Sequence, residues 1–417
     1  MGLNIVELVD LLVRFFNQVV YFLLSSRSLR VMTLIFILFY LLLFISNICH
    51  IFCDSIDIMV KKLNLSDAVA GATLYAIGSS APELFVSMAA LMEGESDMGL
   101  GTIVGSCAFN VLCCVGICCF YGKNRIVLNW KNLIRDAFCH LITAFVLFYV
   151  GRNGKADFSD SLVLLGAYLA YVILNVFNSK YVSLMDRLFS KKMKEQSPLL
   201  INTDPSLDLN FIINDEMEEI EKVKIEVVSK KNRFFKFLWK IFTFPQTAAL
   251  YLTVPKCKVP KYKKFYMITF ITCIVWMGFI EYFIVHFVAE LGSLLEIPPQ
   301  VMGIFVLGPA TSSPELLASI YVVKQGKGDT VIGNAFGSNL FDVLFSLGIP
   351  YFIATAIWPR QPVIIAEPVL PSVTILVLIS VLSLICFGIS RFRMKKSTGL
   401  LFLFCYISYL SYVAFSH

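Results

Sequence analysis

The sequence predicts an all-α polytopic membrane protein: ten core transmembrane helices, five plus five, forming an inverted-topology repeat, with an extra hydrophobic stretch at the N-terminus. Three observations predict it. Hydrophobic residues make up 58% of the 417 positions and charged residues 15%, against about 45–50% and about 25% in soluble domains. Such a chain has too little polar surface to cover itself in water. That excludes soluble enzymes, secreted disulfide scaffolds and nucleic-acid binders. The apolar residues also fall in runs of about 20 or more, long enough to cross a bilayer. Finally, the stretch Gly71–Ile117 recurs as Gly303–Ile349, without a gap.

Residues 4–24 are apolar but interrupted by Asp10 and Arg14. Residues 1–30 therefore read as a signal anchor, a cleaved signal peptide or an interfacial amphipathic helix. The first repeat, 31–178, holds expected spans at 33–60, 67–92, 98–121, 131–150 and 160–178. A polar segment, 179–262, follows. The second repeat, 263–417, holds expected spans at 263–291, 299–323, 329–356, 363–390 and 397–416.

Lys and Arg in short loops set orientation. Lys61 and Lys62, then Lys123, Arg125, Lys131 and Arg135, then Lys324 and Lys327, then Arg391, Arg393, Lys395 and Lys396 all fall on one side. The other side carries Arg152, Lys155 and Arg360, with acidic Glu93, Glu95 and Asp97. The ten-span core therefore starts and ends outside, and segment 179–262 is expected to be a cytoplasmic loop. Its basic patches and its acidic run, Asp215 to Glu221, read as a solvated linker with one or two amphipathic helices. A regulatory partner at this loop is the further expectation. Its roughly 80 residues cannot hold a pair of β-sandwich domains of about 100 residues each.

The cysteines sit largely inside apolar runs, as Cys113, Cys114, Cys118 and Cys119 do, and read as small helix residues. There is no paired CxxC pattern, and the four histidines are scattered. A thiolate or imidazole metal centre is not indicated.

The two copies of the repeat share 16 of 47 positions. Identical pairs include Ser80/Ser312, Pro82/Pro314, Glu83/Glu315, Ser87/Ser319, Asp97/Asp329, Gly105/Gly337, Ser106/Ser338 and Phe109/Phe341. Most are polar, Gly or Pro, whereas chance likeness between apolar helices would match Leu and Val. Five expected spans separate the copies, an odd number, so they face opposite ways across the membrane. Inverted repeats of this kind build secondary transporters with a site near the midplane.

The shared residues suit hard cations. Glu83 and Glu315 fall mid-span, where a carboxylate costs about 2.5–3.5 kcal/mol or more unless it faces a cation or wet cavity. Pro82 and Pro314 cannot bond the carbonyls of Gly78 and Ala310, so both helices should break there. Ser79 and Ser80 lie within a turn of Glu83, and Thr311 and Ser312 within a turn of Glu315. Ser106 and Asn110 share one helix face; Ser338, Asn339 and Asp342 share the matching face of the second copy. This all-oxygen set suits calcium, sodium and potassium. The Asn110/Asp342 difference gives three carboxylates, matching one divalent plus one monovalent cation. Gly101, Gly105, Gly333 and Gly337 form GxxxG pairs, expected to serve close helix packing.

The stretches VAGATLYAIGSSAPELFVS (69–87), GLGTIVGSCAFNVL (99–112), ATSSPELLAS (310–319) and GNAFGSNLFDVLFSLGIP (333–350) resemble the cation/calcium exchanger superfamily, specifically its potassium-dependent sodium/calcium exchangers. The resemblance implies exchange of Ca2+, with K+, for Na+ by alternating access. It maps the calcium carboxylates onto Glu83 and Glu315 and the acidic residue of potassium dependence onto Asp342. It maps neighbouring ligands onto Thr73, Ser79, Ser80, Ser106, Asn110, Thr311, Ser312, Ser338 and Asn339. Three departures stand out: Phe305 replaces a usual threonine, Gly308-Pro309-Ala310 replaces the usual approach to Thr-Ser, and Glu315 replaces a frequent aspartate. They leave Ca2+/H+ exchange on the same fold as the alternative. The implied partners are the lipid bilayer and inorganic cations, with no cofactor beyond the transported Ca2+, Na+ and K+. The membrane is the plasma membrane or that of an acidic organelle. The sequence does not give the oligomeric state.

Overall fold

The computed structural model describes residues 26–63, 76–122, 126–128, 130–176, 233–257, 259–324, 328–357, 360–365 and 369–416. The N-terminal stretch, Thr73 and most of segment 179–262 lie outside them. The first half holds α1 (Arg27–Leu63), a single turn Ala76–Ser79, α2 (Ala81–Met92), α3 (Ser96–Ala108), α4 (Trp130–Gly151) and α5 (Phe158–Val176). Then come α6 (Arg233–Thr253) and α7 (Tyr266–Leu295), followed by three short pieces, Pro299–Met302, Gly303–Leu307 and Gly308–Thr311. The second half continues with α8 (Ser313–Lys324), α9 (Gly328–Phe341), α10 (Val369–Ile389) and α11 (Lys396–Ser416).

Eight helical runs among the described residues are long and apolar enough to cross a membrane. Two shorter apolar helices, Ala81–Met92 and Phe158–Leu174, fall where the second and fifth spans are expected. Large apolar side chains face outward, among them Phe36, Phe138, Phe145, Leu169, Phe404 and Phe415. In water such a surface would drive association; against lipid it is the natural solvent face.

Local sequence sets the helix ends. Lys61 and Lys62 close α1, where cations complement the dipole. α7 stops at Glu296 in the left-handed region (φ 61°), and Pro298-Pro299 cannot extend it. Pro82 sits in the first turn of α2, where its missing N–H removes no helical bond.

Contacts at the helix ends pair the loops as the Lys/Arg distribution predicts. Strand β1 (Ile126–Val127) pairs antiparallel with β4 (Arg393–Met394), Ile126 opposite Met394. Strand β2 (Lys155–Ala156) pairs with β3 (Val363–Ile364), Lys155 opposite Ile364. The first sheet joins the α3–α4 and α10–α11 loops; the second joins α4–α5 to the loop before α10. An inverted repeat exchanges these two pairs of loops, so each end of the molecule carries one copy of the same small sheet.

α1 and α7 form an antiparallel pair. Phe52 stacks on Phe270 at 5.0 Å and Phe44 tilts against Trp276 at 5.3 Å. Within the expected loop 179–262, α6 lies along this pair. Phe242 contacts Phe36 and Tyr40, while Gln246 accepts from Asn47 at 3.1 Å and donates to the Tyr40 carbonyl at 3.3 Å. Gln246, Leu250 and Val254 repeat every four residues and are buried, the stripe of a helix packed on one side. Gln246→Ala removes both polar ties. At about 0.6–1.7 kcal/mol per interhelical bond, a lower thermal unfolding midpoint in detergent is expected, without loss of the fold.

Candidate cation site

Both motif helices break where the prolines predict. In the first copy, Ser80 (φ −105°, ψ 19°) separates Ala76–Ser79 from α2. In the second, Ser312 (φ −86°, ψ 0°) separates Gly308–Thr311 from α8. Glu83 lies in the first turn of α2 and Glu315 in the first turn of α8, where the helix dipole favours a carboxylate. The partner helices bend too. α3 passes into a π-helical turn, Phe109–Cys114, around Asn110, and α9 into another, Asp342–Ser346. Such turns insert one residue and mark functional sites.

These four elements bring the motif oxygens together. Ser312 Oγ donates to Glu83 Oε1 at 3.2 Å and lies 2.6 Å from Ser106 Oγ. Ser106 Oγ donates to Asp342 Oδ2 at 3.4 Å. Ser338 Oγ donates to Glu315 Oε2 at 3.4 Å. Asn110 Nδ2 reaches Ser338 Oγ and Asn339 Oδ1, each at 3.3 Å, and Asn339 Nδ2 donates to the Cys107 carbonyl at 3.2 Å. The links cross the repeats: Ser312 of the second copy holds Glu83 of the first, and Ser106 of the first holds Asp342 of the second.

Each carboxylate is held by one oxygen only. Glu83 Oε2, Glu315 Oε1 and Asp342 Oδ1 are buried and lack a partner among the described residues, as does Ser80 Oγ. Glu83, Asp342, Ser80, Ser106, Ser312 and Asn339 lie between 0% and 1% exposed, Glu315 at 6%. The hydroxyls orient the carboxylates, and the second oxygens are buried away from water. Uncompensated anions of this kind are costly.

The remaining expected ligands divide. Thr311 is buried, and its hydroxyl donates to the Leu307 and Gly308 carbonyls at 3.0 and 3.1 Å. That turns its lone pairs away from its own backbone. Gly78 lies in the turn Ala76–Ser79, Ser79 is half-buried, and Thr73 lies outside the described residues. The Ala310 carbonyl, expected to be free, accepts from Ser313 Oγ at 2.9 Å, because that hydroxyl fills the place of the N–H that Pro314 lacks. Phe305 packs with Val301, Ile304 and Val413 of α11, so its ring fills a helix contact. Pro309 sits at the start of the turn Gly308–Thr311, where the backbone leaves the π-helical turn Gly303–Leu307.

Two further groups lie outside the shared motif residues. The Cys107 carbonyl orients Asn339, although backbone acceptors carry no side-chain signature. Glu281, mid-helix in α7, is fully buried with both oxygens unpartnered among the described residues. Glu281 shares the expected span 263–291 with Glu290, and a carboxylate inside a span is a visible signal. Among the described residues, no three carboxylate, imidazole or thiol side chains close on one point.

A polytopic membrane protein whose inverted halves bury a shared set of oxygen ligands is a secondary transporter, not an enzyme. The family model described as sodium/calcium exchanger protein matches residues 20–177 and 265–415; the chain belongs to that family. Human sodium/potassium/calcium exchanger 5 is 29% identical over 412 residues, spanning 91% of this chain and 82% of its own. Human sodium/potassium/calcium exchanger 4 is 25% identical, spanning 87% and 77%. A structure of the sodium-calcium exchanger NCX_Mj, soaked with 2.5 mM Na+ and 10 mM Sr2+, aligns with a TM-score of 0.50 at 20% identity over 91% of this chain and 99% of that one. That likeness shows the shared fold.

Proposed function

We propose that this chain exchanges Ca2+, together with K+, for Na+ by alternating access around the buried site. One observation carries the reading: three carboxylates from inverted motifs each keep one oxygen tied by a hydroxyl and one without a partner. Hard cations favour such oxygens. Three negative charges match one divalent plus one monovalent ion, and their spread suits more than one ion position. The relatives named sodium/potassium/calcium exchangers support potassium as part of the load. Glu83 and Glu315 hold Ca2+ when Na+ is absent, and Na+ competes for the same oxygens. A filled site compensates the buried charges and permits the change of access; an empty one opposes it.

The test is Ca2+ uptake into Na+-loaded proteoliposomes, with and without external K+, at equal fixed pH on both sides. Uptake that requires the outward Na+ gradient and rises with K+ is expected. Uptake indifferent to Na+ but driven by an imposed pH gradient would replace the reading with Ca2+/H+ exchange. Asp342→Asn keeps the shape and the tie to Ser106 but removes one charge. The variant is expected to retain Na+-driven Ca2+ uptake and lose most K+ activation. Unchanged K+ activation would remove Asp342 from that role.

A further inference from the structure

The outer face of α4 carries a groove that the exchange reading does not use. Phe138, Ile142, Phe145 and Tyr149 follow one another at helical spacing along it, and Val163 of α5 and Val377 of α10 complete its walls. Its volume is about 450 Å³. The four α4 side chains are exposed. Phe138 and Tyr149 stand three turns apart, about 16 Å, close to half of a hydrocarbon core of about 30 Å. The groove therefore has the depth of one leaflet, with Tyr149 at the end of the expected span 131–150, where tyrosines anchor at the interface.

The mouth is charged. Arg152, one turn past Tyr149, lays its guanidinium over the Tyr149 ring at 3.7 Å and donates to the Tyr149 carbonyl. Its side chain stays exposed, as does that of Lys155 on strand β2. Asp157 and Asp160 lie at the start of α5, and the Asp160 carboxylate accepts from the Asp157 N–H at 2.9 Å. The α4–α5 turn thus carries two cations and two carboxylates. The opposite face of α4 is buried. His140 Nδ1 lies 2.6 Å from Ser380 Oγ of α10, and its ring meets Phe336 of α9 edge-on at 5.7 Å. α9 carries Ser338 and Asn339 of the cation site.

We propose that this groove holds an acyl chain of a zwitterionic glycerophospholipid, with the lipid phosphate on Arg152. The apolar floor matches one chain in length, and the mixed signs at the mouth match a headgroup that carries both. A guanidinium presents a planar fork of donors to phosphate. Stacked on Tyr149, it loses little freedom on meeting one. A chain seated there backs α4 against α9. The site lies apart from the exchange reading and does not rest on it.

The experiment uses the intact chain in detergent, stripped of lipid. Phosphatidylcholine, or diacylglycerol with the same chains, is added at rising mole fraction. Retention is read by native mass spectrometry and stabilisation by thermal unfolding. Wild type should keep phosphatidylcholine under conditions that release diacylglycerol, and phosphatidylcholine should raise its unfolding midpoint. Arg152→Gln should weaken retention about tenfold, the size of one lost charge-assisted contact. Val163→Trp should abolish it by filling the groove while Arg152 remains. Lys324→Gln removes an exposed cation that lies over another ring, Tyr121, at 5.2 Å, and should change nothing. Equal retention by wild type, Arg152→Gln and Val163→Trp would mean ordinary boundary lipid only and overturn the site. Equal losses from Arg152→Gln and Lys324→Gln would assign retention to surface charge in general and overturn it too. If Val163→Trp fails to fold, the Arg152→Gln and Lys324→Gln pair decides.

Discussion

Glu83→Gln and Glu315→Gln, each reconstituted in the intact chain, are expected to reduce Ca2+ transport to background. Glutamine keeps the side-chain shape and an oxygen for the hydroxyl that orients the glutamate, Ser312 for Glu83 and Ser338 for Glu315. What disappears is one full charge beside a divalent ion. At a separation of about 4 Å and an effective dielectric of about 20, that charge is worth roughly 4 kcal/mol per unit of ion charge. Even one such increment weakens binding about a thousandfold. Stability should move the other way, because a neutral amide inside a bilayer is cheaper than an unpaired carboxylate. The result therefore has two parts: lost flux, and an unfolding midpoint in ion-free detergent at or above that of wild type. Near-normal flux from either variant would remove that glutamate from the site. Lost flux with a collapsed midpoint would mean the carboxylate holds the fold instead.

The motif chemistry was legible because it is local. Glu83 and Glu315 stand one residue after a proline, and Ser106 stands four from Asn110, so spacing alone places the oxygens on one face. The inverted repeat adds the long-range pairing. It anticipates that motif halves meet, as Ser312 meets Glu83 and Ser106 meets Asp342. What stayed hidden depends on partners far away in sequence. Glu281 has no polar neighbour one turn away that would mark it as functional, and its burial comes from the helices packed around α7. α6 carries Lys240, Pro245 and Gln246, a run too polar to read as a span. The groove beside α1 supplies the partners that let it lie there. The π-helical turns around Asn110 and Asp342 have no residue signature at all. The Ala310 carbonyl is partly tied because the proline argument counts backbone donors, and Ser313 supplies a side-chain one.

The second large effect concerns the glycines between the halves. A methyl group built on Gly105 would lie 2.7 Å from both the Cα and the carbonyl oxygen of Ile304; one built on Gly308 would lie 2.7 Å from the Gly105 carbonyl carbon and the Ser106 nitrogen. These neighbours are backbone, so no rotamer change relieves the clash, and the two helices must separate. Ser106 follows Gly105 directly and holds Asp342 while meeting Ser312 at 2.6 Å. Separation by a few tenths of an ångström therefore disrupts the link between the repeats as well as the packing. Overpacking of this kind costs about 1–3 kcal/mol, and a misplaced ligand set costs about a hundredfold in function. Gly105→Ala is expected to lower both the unfolding midpoint and Ca2+ flux. Gly166→Ala supplies the opposite sign: Gly166 is exposed on α5, and its added methyl meets nothing within 4 Å among the described residues. In mid-helix, alanine there should gain about 1 kcal/mol over glycine and leave transport unchanged. If Gly105→Ala behaved like Gly166→Ala in both measurements, the two halves would not meet backbone to backbone at Gly105, and the hydroxyl chain from Glu83 to Asp342 would need another scaffold.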